Sequence, residues 1–225
     1  MLIHQNVRYM KQANVPYLSE LLSNEENAIP SILKSKGVEI HIDELNWEDQ
    51  FPAHIPTSAF ITHDGNNLYV LYSVTGEVLR VVNEKDFMPV WEDSCVEFFM
   101  QRDGEKLYRN FECNTHGVLL ASQRKTREDS ERLPLHQIQA IKRTSFIKHR
   151  YMDDKEVSDW MLLLVIPKIS LGFGKDEELS HNSIRANFYK CGDETASVHY
   201  QSWNRIYTPS PNFHQPQFFG KLIFE

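Results

Sequence analysis

The sequence predicts an all-β protein: an antiparallel two-sheet sandwich of the jelly-roll kind with a short, partly helical N-terminal arm. Short β-rich runs recur from Val38 onward, and glycines such as Gly104 and Gly117 lie in or near the gaps between them. No amphipathic helix of about 10–15 residues separates these runs regularly. A parallel βαβ fold is therefore not expected.

The first 37 residues differ from the rest of the chain. Ser19–Leu22 and Ser31–Lys34 have the pattern of short helical turns, and Gly37 ends the region. We expect residues 1–37 to form an arm that packs on a domain of residues 38–225.

The clearest strand signal is a predicted β-hairpin. Ala59–Thr62 and Leu68–Val74 are β-rich, and an Asp-Gly pair lies in the turn between them. The charged stretch Gln123–Leu133 predicts a solvated loop, and a loop on the ligand side is the alternative. The further predicted strands are Val78–Val82, Cys95–Gln101, Leu107–Asn114, Val118–Ser122, Ile138–His149, Trp160–Pro167, Ser183–Lys190, His199–Trp203 and Phe218–Phe224.

Composition and charge exclude several classes of protein. The 225 residues include 24 basic and 31 acidic side chains, for a net charge of −7, and no lysine/arginine run is present, so a nucleic-acid partner is not expected. The longest apolar run, Trp160–Ile166, is too short to span a membrane. The first twenty residues are too polar for a signal peptide, so the sequence as written reads as cytoplasmic, and a leader outside the given sequence is the alternative.

The three cysteines are far apart and form no CxxC pair. This spacing argues against a zinc ribbon, a thioredoxin-type motif and a dense disulfide framework. An odd number of cysteines favours buried free thiols in a reducing compartment, and one disulfide with one remaining thiol is the alternative. The cysteines are Cys95, Cys113 and Cys191.

Three predicted strands each carry a polar row opposite an apolar row. Trp91 and Glu97 are six residues apart and share one side if the segment is extended. Planar side chains with directional hydrogen bonds suit a ligand rich in hydroxyls, although a sheet face that simply meets water is the alternative. The polar rows of the other two strands are Asn110, Glu112 and Asn114, and Arg185, Asn187 and Tyr189.

The four tryptophans divide into two pairs. Trp47 and Trp160 are predicted to lie in the core, because Trp160 begins the most apolar strand and Trp47 lies close to a proline-bounded segment. Trp91 and Trp203 lie at predicted junctions of loops and strands. Rings at such junctions can cover the apolar face of a sugar.

These residues lie in blocks that resemble the family-9-like carbohydrate-binding modules, over about residues 38–225. The blocks are Val90–Phe99, Tyr108–Asn114, Arg185–Cys191 and Phe218–Phe224, together with Trp47, Phe51 and Pro52. The resemblance implies a β-sandwich that binds a mono- or oligosaccharide without catalysis. It implies that Trp91 and Trp203 clasp the sugar and that Glu97 accepts hydroxyl hydrogen bonds. Glu112 stands where sugar-binding members carry an arginine, and Arg185 is the candidate to supply that charge.

The resemblance also bears on partners and cofactors. Bound calcium is common in such modules, so calcium is possible, although the sequence contains no Asp-x-Asp-x-Asp-Gly loop and Asp153-Asp154 and Asp193-Glu194 read as ordinary loop acids. A glycan-degrading enzyme is the expected protein partner. The resemblance suggests a protein that acts on extracellular or periplasmic glycans, whereas the polar N-terminus does not resemble a signal peptide.

Three alternatives stay open beside the binding module. Glu97 and Glu112 on adjacent strands have the character of the carboxylate pair of a glycoside hydrolase. A scaffold or subunit domain with a decayed sugar site is the second. A haem- or metal-binding sandwich is the third, although the ten histidines form no HxH or HxxxH pair. The binding module is preferred to an enzyme.

Overall fold

A computed structural model describes residues 10–22 and 26–225. Over these residues a nine-stranded sheet packs on a five-stranded sheet, which confirms the predicted antiparallel sandwich. Residues 1–9 and 23–25 of the predicted arm lie outside the described residues. No helix in the described part of the chain has the length and apolar character needed to cross a membrane.

The strands and helices are numbered along the chain. The strands are β1 (Gln12–Val15), β2 (Val38–His41), β3 (Glu44–Leu45), β4 (Thr57–His63), β5 (Asn67–Glu77), β6 (Cys95–Arg102), β7 (Tyr108–Asn114), β8 (Leu119–Arg124), β9 (Ser130–Arg132), β10 (Lys142–Met152), β11 (Lys155–Pro167), β12 (Ser183–Gly192), β13 (His199–Ser202) and β14 (Gly220–Phe224). The α-helices are α1 (Ile29–Lys36) and α2 (Leu135–Ala140), and single 3₁₀ turns cover Ser19–Leu22, Glu26–Ala28, Val90–Glu92 and Pro216–Phe218.

The nine-stranded sheet runs in the order β1-β14-β12-β6-β7-β8-β9, with β13 beside β12 and β3 beside β13. The five-stranded sheet runs β10-β11-β5-β4-β2. Most neighbouring strands are antiparallel, but β1 pairs with β14 in parallel. The β4–β5 hairpin is present as predicted, and Gly65 takes a φ of 87° in its turn.

The main core lies between the two sheets and follows strand alternation. Val96, Phe98 and Met100 point inward from β6, and Phe188 of β12 stacks on Phe98 with 4.9 Å between ring centroids. Trp160 of β11 contributes from the other sheet, as predicted. Because successive side chains alternate along a strand, the remaining side chains of β6 and β12 point away from this core. We call the surface that they form the outer face.

Loops cover much of the outer face, and this cover decides which side chains reach solvent. A second apolar cluster there includes Phe99 of β6 and Tyr189 of β12. Two segments lie over it, residues 47–51 and residues 204–219, which we call the covering loops. The Trp47 indole Nε1 ties them together by donating to the carbonyl of Thr208 at 2.8 Å.

Among the predicted strands whose bounds differ from the structure, two show a physical reason for the difference. Val78–Val82 is irregular because side chains bind its backbone: Ser94 Oγ accepts from the Arg80 amide at 3.1 Å and Asp93 Oδ1 from the Val82 amide at 3.0 Å. The predicted strand Ile138–His149 begins only at Lys142, because the residues before it belong to α2.

The described part of the predicted arm joins the sandwich at two places. β1 extends the nine-stranded sheet beside β14, and α1 packs against β4. Gly37 closes α1, where a Cβ would lie 2.7 Å from the carbonyl oxygen of Leu33. A division of the chain at residue 37 remains a prediction.

Candidate functional site

A cavity of about 460 Å³ opens on the outer face, within the size range of small-ligand sites. Strands β6, β7 and β12 supply its floor, which consists of Glu97, Glu112 and Cys191. The turn before β6, the end of β8 with the β8–β9 loop, the segment after β12, strand β13 and the covering loops supply the walls. The wall residues are Phe51, Trp91, Arg124, Arg127, Asp193, Tyr200, Pro211, Asn212, Phe213 and His214.

Trp91 lies in the 3₁₀ turn Val90–Glu92, and its side chain remains 37% exposed. The segment after β12 holds this turn in place, because the Asp193 amide donates to the carbonyl of Trp91 at 3.0 Å and the Glu194 amide to that of Glu92 at 3.1 Å. The indole is thus an exposed ring on a fixed backbone, as a stacking platform requires.

The two floor carboxyl groups face each other across β6 and β7, where Glu97 pairs directly with Glu112. Both residues are buried. Burial, the Cys191 side chain and the charge of Glu112 raise the pKa of Glu97 well above its usual value. Burial raises the pKa of Glu112 to about 7, although the positive charge of Arg124 lowers it in part. These shifts favour the protonated carboxyl form, which donates as well as accepts hydrogen bonds, and at pH 7 about half of the Glu112 side chains are in that form.

The cavity walls add further charged and titratable groups. Burial raises the pKa of Asp193. A hydrogen bond from Tyr200 and the charge of Arg127 lower it again in part. Burial and the charges of Arg124 and Arg127 lower the pKa of His214 to about 3, so its ring is neutral at pH 7.

Asn110 and Asn114 were expected to contact ligand, and the structure corrects this expectation. Both are fully buried beneath the outer face and hold other protein groups. Asn110 Nδ2 donates to Glu112 Oε1 at 2.8 Å, and Arg124 Nε donates to Asn110 Oδ1 at 2.8 Å. Asn114 Nδ2 donates to Asp93 Oδ2 at 3.0 Å. Asn110 thus orients a floor residue instead of facing the cavity.

The polar row of β12 is corrected in the same way, because each of its members binds a covering loop or a neighbouring strand. Asn187 exchanges two hydrogen bonds of 2.8 Å with the backbone of Asn204. The Tyr189 hydroxyl donates to the carbonyl of Phe213 at 3.2 Å, and the two rings stack at 4.1 Å. Arg185 donates to Gln101 Oε1 at 3.1 Å and to the Pro216 carbonyl. It therefore does not supply the charge expected near Glu112.

Trp203 was expected to be the second stacking ring, but it belongs to the core between the sheets. Its side chain is buried and meets Phe188 edge-on with 5.9 Å between centroids. The ring also lies against Gly220, where a Cβ would come within 2.8 Å of it. Trp203 therefore does not line the cavity that contains Trp91.

The sequence analysis missed most of the cavity wall. Tyr200, Phe213 and His214 approach the cavity from chain segments that come together only in the folded protein. The two wall arginines, Arg124 and Arg127, lie in the charged stretch for which a ligand-side loop was the alternative. The sequence signal for these two arginines was a run of charged residues next to a predicted strand with a polar row.

The described residues do not fit a calcium site of several carboxylates. The one group of three metal-ligating side chains that converges within residues 10–22 and 26–225 contains two cysteines and Glu97. Asp153 and Asp154 are exposed and form the tight β10–β11 turn with φ values of 49° and 60°.

The two-sheet sandwich, with an aromatic-walled and carboxyl-floored cavity on one outer face, defines the chain as a β-sandwich ligand-binding module. The sequence profile described as carbohydrate-binding family 9 matches residues 27–224. The chain belongs to this family, and its function is non-catalytic carbohydrate binding. The hydrolase alternative is not favoured.

Solved structures agree with this assignment. A candidate carbohydrate-binding protein from Bacteroides uniformis ATCC 8492 is 33% identical, with a TM-score of 0.86 over 96% of this chain and 100% of that chain. A family 9 module from Caldicellulosiruptor kristjanssonii shares the fold. Its glucose complex is 13% identical with a TM-score of 0.59 over 96% of each chain, and its cellotriose complex is 12% identical with a TM-score of 0.60 over 96% of this chain and 94% of that chain. No curated protein matches the chain.

Proposed function

We propose that the cavity on the outer face is the saccharide site of this module and that Trp91 is its stacking platform. The observation that carries the proposal is the position of this exposed indole at a cavity whose floor holds Glu97 and Glu112. The ring covers the apolar C–H face of a sugar, and the carboxyl groups bind its hydroxyls.

The chemistry of the floor suits hydroxyl recognition. A sugar hydroxyl both donates and accepts, and a protonated carboxyl group does the same. The raised pKa values of Glu97 and Glu112 favour that form, and the pKa of about 7 keeps about half of the Glu112 side chains in it near neutral pH. Because a single sugar buries few atoms, we expect dissociation constants on the order of 10 µM to 1 mM.

The test is calorimetric titration of the full chain with glucose and cellotriose, the ligands of the Caldicellulosiruptor complexes, followed by a wider glycan array. Trp91→Ala is expected to weaken binding about tenfold or more and to change the free energy of unfolding by less than about 1 kcal/mol, since the ring is partly exposed. Tyr151→Ala is the matched control, because this tyrosine is 75% exposed and lies on β10 of the other sheet.

Two results would refute the proposal. Saccharide binding that survives Trp91→Ala unchanged would place the site elsewhere. A folded wild-type chain that binds nothing on the array would leave the cavity without this role.

A glycan-degrading enzyme is the proposed protein partner. A module that binds glycan without cleaving it contributes by keeping an enzyme near its substrate, which raises the effective concentration of that substrate. Mixing the chain with a polysaccharide hydrolase tests this: a faster release of sugar that disappears with Trp91→Ala is expected, and equal rates would contradict it.

A further inference from the structure

Two cysteines and a glutamate converge at the cavity floor. Cys95 and Cys191 are direct partners across β6 and β12, and Glu97 follows Cys95 by two residues, on the same face of β6. The two sulfur atoms and a carboxylate oxygen lie within 4.8 Å of one another, and the Cys191 thiol donates to Glu97 Oε1 at 3.1 Å. All three residues are buried.

The distances between these three ligand atoms are close to those found around a bound transition metal ion. Zinc bonds of about 2.3 Å to sulfur and about 2.0–2.2 Å to oxygen place the ligand atoms of a tetrahedral site roughly 3.5–3.8 Å apart. Side-chain shifts of about 1 Å or less would bring this triad to that geometry. Each ligand extends from a paired strand, and such rigid elements hold a site more precisely than loops do.

The donor set decides the class of ion. Two thiolates favour zinc or another soft or borderline ion, whereas calcium and magnesium prefer several oxygen donors. Without a cation, burial keeps both thiols protonated, and it raises the pKa of Cys95 to about 12. A divalent ion displaces these protons and compensates the thiolate charge.

We propose that Cys95, Glu97 and Cys191 bind a zinc ion. Glu97 and Cys191 line the cavity, so a fourth coordination position faces the cavity and can take water or a ligand hydroxyl. The surrounding charges are those of Glu112, Asp193, Arg124 and Arg127. The two proposals share Glu97: a bound ion takes it as the carboxylate, and Glu112 and Trp91 then remain to contact the sugar.

Cobalt(II) is the probe, because thiolate ligands give it an intense charge-transfer absorption in the near ultraviolet. The full chain is treated with a chelator under reducing conditions, freed of the chelator and titrated anaerobically with cobalt chloride. We expect about one cobalt ion per chain, the thiolate band, and loss of that band when zinc is added. Zinc is also expected to raise the melting temperature, since it binds the folded state.

Alanine variants of the three cysteines locate the site. Cys95→Ala and Cys191→Ala are expected to lose the thiolate band and more than about 100-fold in zinc affinity. Cys113→Ala is the matched control, because Cys113 is also buried but lies in the core between the sheets, and it is expected to keep both. If the first two variants fail to fold, Glu97→Gln provides the test: it keeps both thiols and is expected to weaken zinc binding about tenfold or more.

Several outcomes would overturn the inference. One is a folded, reduced wild-type chain that takes up no cobalt, and another is weak cobalt absorption without the thiolate band. A band that survives Cys191→Ala, or that Cys113→Ala also removes, would place the ion elsewhere. Saccharide titrations run in chelator test the proposed function separately, so the two proposals can fail independently.

Discussion

The Lys190 ammonium group donates to Glu77 Oε1 at 2.8 Å, and this ion pair joins the two sheets inside the sandwich. Lys190 extends from β12 and Glu77 ends β5, and both side chains are almost completely buried. The Trp160 indole donates to the other oxygen of Glu77 at 2.8 Å, and Lys190 also reaches His199 Nε2 at 2.8 Å. A cation on the core-facing side of a strand is thus fully partnered.

Removing one member of this ion pair should destabilise the fold strongly. Lys190→Met leaves the Glu77 carboxylate buried without its cation, and we expect a loss of about 3–5 kcal/mol in the free energy of unfolding, measured with urea. Lys36→Met is the control, because Lys36 pairs with Glu20 at 2.8 Å on the exposed side of α1, and its cost should stay below about 1 kcal/mol.

A double variant separates the loss of the ion pair from the loss of packing. Lys190→Met with Glu77→Gln removes both charges and keeps an acceptor for the Trp160 indole. It should therefore be more stable than Lys190→Met alone. A double variant that is less stable than the single one would show that the uncompensated charge is not the dominant cost.

Trp203 should behave as a core residue. Trp203→Leu removes packing against Phe188 and Gly220, so we expect a loss of about 2–4 kcal/mol in the free energy of unfolding, with unchanged saccharide affinity in the protein that remains folded. Chemical unfolding and calorimetry give the two values. A variant of wild-type stability that binds saccharide poorly would restore the stacking role first expected for this ring.

Strand alternation made part of the site predictable from the sequence. Once β6 turns Phe98 inward, Glu97 must face outward, and the same alternation places Glu112 outward on β7. Trp91 shares that side because its turn leads directly into β6. These three residues line the cavity as the alternation predicts; their role in sugar binding remains a proposal.

The remaining part of the site depends on tertiary packing, which alternation does not describe. Alternation places Asn187 and Tyr189 outward correctly, but the covering loops lie on them and take their hydrogen bonds. An outward side chain is accessible only if no loop covers it. Trp203 follows β13, and its contact with Gly220, far along the chain, decides that it lies inside.

Asp93 should support the platform ring without touching ligand. Its buried carboxylate accepts from the backbone amides of Val82 and Asn83 at 3.0 Å each, and from the side chains of Asn114 and Arg80. Asp93→Ala leaves these donors unpaired just after the Trp91 turn. We expect a loss of about 3–5 kcal/mol in the free energy of unfolding and weaker saccharide binding.

Hydrogen exchange shows whether this effect is local. Amides of residues 80–94 are expected to exchange faster in Asp93→Ala, relative to the wild-type chain, than amides of β11 do. Uniformly faster exchange would indicate global destabilisation alone. Unchanged saccharide affinity in the folded variant would contradict the supporting role.

His214 should make the fold sensitive to acid. Burial, followed by the charges of Arg124 and Arg127, lowers its pKa in the folded chain from 6.5 to about 3. Between these values the unfolded chain binds a proton that the folded chain does not, so this residue's contribution to stability is lost as pH falls from about 6.5 towards about 3. In His214→Gln that contribution is absent, and the free energy of unfolding should fall less between pH 7 and pH 4.5, which covers the upper part of this range. Urea unfolding of both proteins at the two pH values, in chelator, measures the difference.

An equal fall in the free energy of unfolding of both proteins would mean that the folded and unfolded chains bind this proton equally well. A steeper fall in the variant would reverse the sign of the expected effect.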